Sequence, residues 1–411
     1  MTIEHYGCLI VGAGHAGAQA AISLRQAGFE GSVCLLGDEP VAPYERPALS
    51  KEYLAGQKEF TQLLLRPPEF WPEHDIALSL GRRVTAVDAE AHTVTCADGT
   101  TIGYGVLVWC AGGTPRTLRC PGHDLDGIHA IRDKADCDRL ITALPHNHRV
   151  AVIGGGYVGL EAAAVLSRLG KEVVVIEALN RVLARVAAEP LSHFYEAEHR
   201  AHGVELRLGT GVAEIVGENR TVSGVRLTDG TVIPADQVIV GIGIDPVVEP
   251  LLSAGAEPAP GGLGVLVDEL CRTTLTDVYA AGDCTLVRGG AGIRIESRQN
   301  ASEQAATAAK AISGRPEPLR LLPLFWSNQY DLRLQTVGLS HGHDRTVLRG
   351  APDERSFSLV YLKDGAVTAL DCVNSARDYL QGRRLVEAGT RVDPALLADA
   401  RIPLKEMAAS A

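Results

Sequence analysis

Two glycine-rich runs, Gly12-Ala13-Gly14-His15-Ala16-Gly17 and Gly154-Gly155-Gly156-Tyr157-Val158-Gly159, each follow an apolar run and open a helical one. In such a turn the first glycine (Gly12, Gly154) permits a tight strand-to-helix reversal. The second (Gly14, Gly156) lets a pyrophosphate approach the backbone, and the third (Gly17, Gly159) lets the helix pack closely on the strand. The unpaired amides and positive dipole end of the helix then face the phosphates. One turn of this kind is a weak signal. Two, about 140 residues apart, imply two dinucleotide sites facing one another, an arrangement that suits passage of electrons from a nicotinamide to a flavin.

The residues beyond each turn distinguish the sites. Glu177 follows the apolar strand of the second unit, where a carboxylate accepts bonds from both ribose hydroxyls and repels a 2′-phosphate; it favours NAD over NADP. Arg181, four residues on, weighs the other way. In the first unit Gly37 holds the corresponding place, and Asp38, followed by Glu39, is the candidate carboxylate.

Strand–turn–helix–strand units must position these residues. Gly7–Val11 and Ser32–Leu36 read as strands flanking an alanine-rich helix over 16–27. The pattern recurs as strands at Val150–Ile153 and Glu172–Ile176 around a helix over 160–169. Such βαβ units require a parallel sheet covered by helices, so the fold class is α/β. Val106–Gly113 and its near-copy Val238–Gly243 mark the points where the chain crosses between nucleotide domains; Ala111 and Gly112 join the first candidate site and Gly243 the second. Residues 249–264, rich in Pro, Gly and Ala, read as a loop, and an alanine-rich helix follows over 300–312. Beyond 313–318, alternating strands at Ser356–Leu362 and Gly365–Leu370, with Lys363-Asp364 as the turn, indicate a small α+β domain. The expected division is a first nucleotide domain over 1–113, a second over 114–244, a return to the first over 245–320, and a C-terminal domain over 321–411.

Composition limits the functional classes. The 411 residues are 46% hydrophobic and 22% charged, enough for a sizeable core, and the formal charge of −11 argues against a nucleic-acid surface. No apolar stretch approaches the roughly 20 residues of a membrane span, and Met1–Tyr6 lacks the basic start of a signal peptide. Nine scattered cysteines without a C-x-x-C pair read as reduced, buried thiols of a cytoplasmic protein rather than a metal or redox site.

Several further stretches carry a resemblance. Val11–Gly17, Leu36–Glu39, Pro43–Lys51, Gly155–Glu161, Ala280–Cys284 and Phe325–Asp331 span nearly the whole chain in order. Together they closely resemble the FAD-dependent NADH:ferredoxin reductases of bacterial Rieske-type dioxygenase and class I cytochrome P450 systems. That resemblance implies a glutathione-reductase-like architecture: two Rossmann-like dinucleotide-binding domains, for FAD and NADH, and a C-terminal domain. It also implies that Arg46 and Lys51 lie along the flavin, with Lys51 near its N5 edge and Glu161 as the partner of Lys51; these two form the candidate catalytic pair. By the same resemblance Gly282 and Asp283 meet the ribityl or pyrophosphate region of FAD, Trp326 lies against the flavin ring, and Glu296 contacts the nicotinamide side. Gly12, Gly14, His15, Ala16 and Gly17 complete the FAD set; Gly154, Gly156, Tyr157, Val158, Gly159 and Glu177 the NAD set.

The implied reaction moves hydride from NADH to FAD, and then single electrons to a [2Fe-2S] ferredoxin, with a rubredoxin as a close variant. No cysteine occurs between Asp38 and Thr95, where related disulfide reductases carry their redox pair, so thiol–disulfide chemistry has no reagent there. The same gap counts against an NADH oxidase or peroxidase. A redox-sensing flavoprotein resembling the apoptosis-inducing type is a further alternative. Arg66, Arg82, Arg83, Arg294, Arg298 and Arg333 are candidate cations for docking an acidic ferredoxin.

Overall fold

The computed structural model describes residues 3–407; positions 1, 2 and 408–411 of the expected first and last domains lie outside the described residues. The chain divides into two compact units. One comprises Met1–Arg46, Glu59–Thr114 and Ile244–Leu321; the other comprises Pro47–Lys58, Pro115–Gly243 and Leu322–Ala411.

The first unit is built on a seven-stranded sheet. Ile76–Ser79, Val33–Leu36, Glu4–Val11 and Thr101–Trp109 run parallel in that order, and Val278–Ala280 joins Thr101–Trp109. A meander through Thr93–Cys96 and Val84–Asp88 extends the sheet antiparallel. Val33–Leu36 is buried at every position, as a central parallel strand covered on both faces must be. The helices His15–Gln26 and Arg298–Ile312 cover one face with buried alanines, among them Ala16, Ala20, Ala301 and Ala305. Small side chains let these two helices approach each other and the sheet closely. Residues 249–264 are not wholly loop: Glu249–Ser253 forms a helical turn. Pro250 sits in its first turn, where a missing N–H is harmless, so the proline that suggested a loop instead starts a helix.

The second unit contains a five-stranded parallel sheet, ordered Glu205–Leu208, Glu172–Glu177, Arg149–Ile153, Gln237–Val240 and Ile128–His129. Its C-terminal part is a five-stranded antiparallel sheet, Leu324–Gln329, Leu332–Gly338, Ala366–Val373, Ser356–Lys363 and Arg345–Ala351, covered by the helix Ala376–Ala388. The fold is therefore α/β with two dinucleotide-type sheets and a C-terminal α+β part. Lys363 pairs with Ala366, so the hairpin turns on Asp364-Gly365 rather than on Lys363-Asp364. Both turn residues have positive φ (50° and 77°), the Asp-Gly geometry whose twist matches the flanking strands. Among the described residues, no helix is long and apolar enough to cross a membrane.

Candidate functional site

The two glycine turns have nearly the same geometry. Gly12 and Gly154 both stand at φ +110°, and a Cβ on either would lie 2.2 or 2.3 Å from a backbone oxygen, of Cys110 or Gly241. A Cβ on Gly17 or Gly159 would sit 1.9 or 2.2 Å from the carbonyl oxygen of Gly12 or Gly154. Only glycine lets the helix start this close to its strand. Gly14 and Gly156 are different: a Cβ there meets nothing within 4 Å, and no side chain caps either helix. Each turn thus presents uncapped amides to open space, which fits the pyrophosphate of a dinucleotide.

In the first unit, His15 and Ala16 open the helix. A Cβ on Gly282 would be 3.3 Å from the Ala16 Cβ, so Gly282-Asp283 is brought against the first glycine turn. The Gly282 N–H donates to Gln304 Oε1 (2.7 Å), which also accepts from the Thr285 hydroxyl (2.8 Å). Gln304 was not foreseen: a helix glutamine turned inward has no periodic signature. Gly112, at φ +64°, follows Ala111, and its carbonyl accepts from Val247 N–H at 2.9 Å. Asp38 is exposed. Its neighbour Glu39 is engaged instead, by Arg46 Nη2 at 2.6 Å and the Tyr44 hydroxyl at 2.7 Å. Arg294 donates to the Asp283 carbonyl (2.6 Å) and pairs with Glu296 (2.7 Å). With a side chain only 8% exposed, Arg294 is removed from the candidate docking cations.

In the second unit, Glu177 is the last residue of its strand rather than the first beyond it. Its carboxylate accepts from Gly155 N–H at 2.7 Å and Leu179 N–H at 2.8 Å, which fixes it beside the turn. Arg181 donates to the carbonyls of Ala187 (2.8 Å) and Ala184 (3.2 Å) and to the Ser192 hydroxyl (2.6 Å). Tyr157 opens the helix and packs on Phe325 with ring centroids 4.4 Å apart, Val158 is exposed, and Gly243 stands at φ +103°.

The same unit assembles the candidate catalytic pair. Lys51 lies in the irregular helical turn Leu49–Tyr53. This segment is tied to the helix Lys134–Ala143 through the Tyr53 hydroxyl on Asp138 (2.6 Å) and Cys137 Sγ on the Leu49 carbonyl (3.3 Å). Lys51 Nζ donates to Glu161 Oε2 at 2.7 Å and to the Pro47 carbonyl at 3.0 Å. Glu161, 3% exposed, also accepts from the hydroxyls of Ser50 (2.7 Å) and Ser327 (2.6 Å). A buried carboxylate is tolerated only when its lone pairs are satisfied, and removing one partner of such a pair typically costs about 3–5 kcal/mol. Trp326 precedes Ser327 in Leu324–Gln329, and strand alternation turns it to the opposite face. Ser50 and Ser327 were not singled out in the sequence. Ser327 and Gln329 left one signal, two polar residues on the same inward strand face.

All nine cysteines are free and eight are buried. Burial pushes the thiols of Cys8, Cys137, Cys271 and Cys284 up to about 12, far from any thiolate at neutral pH.

Residues 6–311 match the pyridine nucleotide-disulphide oxidoreductase family, and residues 324–408 match the reductase C-terminal family. The chain is similar to the ferredoxin reductase subunit of 5,5′-dehydrodivanillate O-demethylase from Sphingobium sp., 57% identical over 99% of this chain and 100% of the relative. It is also similar to a ferredoxin–NAD(P)+ reductase of Sphingomonas sp., 52% identical over 98% of both. The crystal structure of the covalent putidaredoxin reductase–putidaredoxin complex superposes with a TM-score of 0.94 at 37% identity, covering 99% of each chain.

The glycine geometry predicts opposite outcomes for neighbouring substitutions. Gly159→Ala forces a methyl onto the Gly154 carbonyl and should cost about 2–3 kcal/mol of stability, seen by calorimetry without nucleotide. Gly156→Ala should keep the wild-type Tm and weaken nicotinamide nucleotide binding in a titration. A second expectation concerns acid. Burial lowers His199 from 6.5 to about 4. Between these values the unfolded chain takes up a proton that the folded chain refuses. Stability is therefore full above pH 6.5 and declines as pH falls towards 4, by roughly 3 kcal/mol from this group; denaturant titrations at pH 7, 5.5 and 4.5 measure it.

Proposed function

This chain belongs to the pyridine nucleotide-disulphide oxidoreductase family, among the FAD- and NAD(P)H-dependent ferredoxin reductases of oxygenase systems, and on that premise we propose that it carries electrons from NADH to a [2Fe-2S] ferredoxin. Bound FAD would supply the conversion of a nicotinamide electron pair into the single electrons that an iron–sulfur acceptor requires. The carrying observation is the buried Lys51–Glu161 pair, which holds a cation in a fixed place. Lys51 serves to stabilise the negative charge that reduction places on the flavin, and Glu161 holds that lysine in place. Asp283, Arg46 and Trp326 are the proposed FAD contacts besides the first glycine turn, and Glu296 a contact on the nicotinamide side.

The preference for NADH over NADPH is supported by two fixed side chains. Glu177 sets a carboxylate beside the second turn, where a 2′-phosphate would be repelled. The Arg181 guanidinium, the cation that could have reversed this, is bonded to two carbonyls and a hydroxyl. Nine free thiols without a disulfide support a reducing, cytoplasmic setting.

Under argon, the purified flavoprotein mixed with NADH and a [2Fe-2S] ferredoxin should reduce the ferredoxin in a catalytic, enzyme-dependent manner. Flavin bleaching without transfer to any iron–sulfur acceptor would refute the assignment. Lys51→Met should slow NADH-driven ferredoxin reduction roughly tenfold or more while leaving the second glycine turn, and so NADH binding, intact.

A further inference from the structure

Glu161 ends a longer series of buried polar groups, all within the second unit. Ser327 Oγ donates to Glu161 Oε1 at 2.6 Å, and Gln329 Nε2 donates to Ser327 Oγ at 3.3 Å. Gln329 Oε1 lies 2.8 Å from His199 Nε2, and His199 Nδ1 lies 2.9 Å from the Tyr330 hydroxyl. Ser327, Gln329 and His199 are at most 1% exposed. Tyr330 forms the hairpin turn that follows, at φ +57°, an uncommon conformation for an aromatic residue. Its ring stacks on His202 at 3.7 Å and borders an open surface cleft with Arg168, Asp331 and Arg355.

The donor direction follows from one charge. Glu161 is paired with Lys51 and, as a carboxylate, only accepts, so the Ser327 proton must point to it. The Ser327 oxygen then needs a donor, which is the amide nitrogen of Gln329. Gln329 consequently offers its oxygen to His199, which must carry its proton on Nε2. The bare Nδ1 accepts from Tyr330. The reverse amide orientation would direct the Ser327 proton to Gln329 and press two unprotonated oxygens together at 2.6 Å. Burial depresses His199 to about 4, which keeps the imidazole neutral and leaves Nδ1 bare. An amide in the series makes it a poor proton conductor, because its NH2 donates without ionising. Aligned donors instead polarise one another toward the carboxylate.

We propose that Ser327, Gln329 and His199 are positioning residues for the redox step: their aligned hydrogen bonds hold the Glu161 carboxylate turned toward Lys51, so that the ammonium stays fixed. The role rests on reading Lys51 as the cation that serves the reduced flavin. Ser327→Ala removes the donor at Glu161 with little change in volume, and Gln329→Met interrupts the series one step further away.

The test uses the holoprotein, with the flavin midpoint potential and the pre-steady-state rate of flavin reduction by NADH as readouts. Lys51→Met should lower the potential. Ser327→Ala should lower it less and slow reduction about three- to tenfold, the scale of one net hydrogen bond. Gln329→Met should act in the same direction, and serves if Ser327→Ala does not fold. The Lys51→Met/Ser327→Ala protein should match Lys51→Met alone, because Ser327 acts only through the pair. Nitrogen-15 NMR should find His199 neutral, with its proton on Nε2, at pH 7. A full Ser327→Ala shift persisting on the Lys51→Met background overturns the positioning role, as does a silent Ser327→Ala, or a His199 protonated on Nδ1. If Lys51→Met leaves the potential unchanged, the reading of Lys51 itself has failed and the positioning role falls with it.

Discussion

A carboxylate with almost no access to water dictates much of the second unit. Glu161 would cost several kcal/mol to bury alone, and its oxygens are satisfied by three groups from two distant parts of the chain: Ser50 and Lys51, then Ser327. This requirement explains an otherwise odd feature of chain organisation. Pro47–Lys58 packs with the second unit although the residues on both sides of it belong to the first. The excursion delivers one ammonium and one hydroxyl to Glu161, and the Tyr53–Asp138 and Cys137–Leu49 bonds anchor it.

The twin glycine turns impose a steric constraint of another sort. Each strand–helix junction is so tight that the carbonyl of its first glycine occupies the place where a Cβ of its last would be. The middle glycine faces empty space in both copies. Close packing behind the turn and openness in front of it are thus separable properties of adjacent residues. The duplication holds in geometry as well as in sequence, with equal φ at Gly12 and Gly154.

Legibility in the sequence followed the range of the interaction. The βαβ units could be read because hydrophobic periodicity and turn glycines are local signals, and strands and helices fall within a few residues of their expected ends. The Lys51–Glu161 partnership, 110 positions apart, came only from a family resemblance, since no local pattern encodes a contact at that distance. Ser50, Gln304 and His199 were missed for the same reason. Where local reasoning misread a segment, a single residue had two meanings. Pro250 breaks a helix interior but begins a helix, and Asp364-Gly365 outweighs Lys363-Asp364 because the turn needs two positive φ values. Arg294 looked like a surface cation, yet its charge is turned to Glu296 and the Asp283 carbonyl.

The character of the chemistry follows from which reactive groups are accessible. Eight of the nine thiols are buried in apolar surroundings that hold them protonated, so none of these is available to form a mixed disulfide. What the second unit offers instead is charge held in a fixed place: an ammonium with one carboxylate and one carbonyl on it, neither free to reorganise. A preoriented charge assists electron transfer without making or breaking a covalent bond to the protein, and its effect grows as water is excluded around it. Burial of Glu161 therefore serves function through the same physics that makes it costly. The low dielectric that penalises an unpaired carboxylate also strengthens each bond that orients it, and through it the lysine.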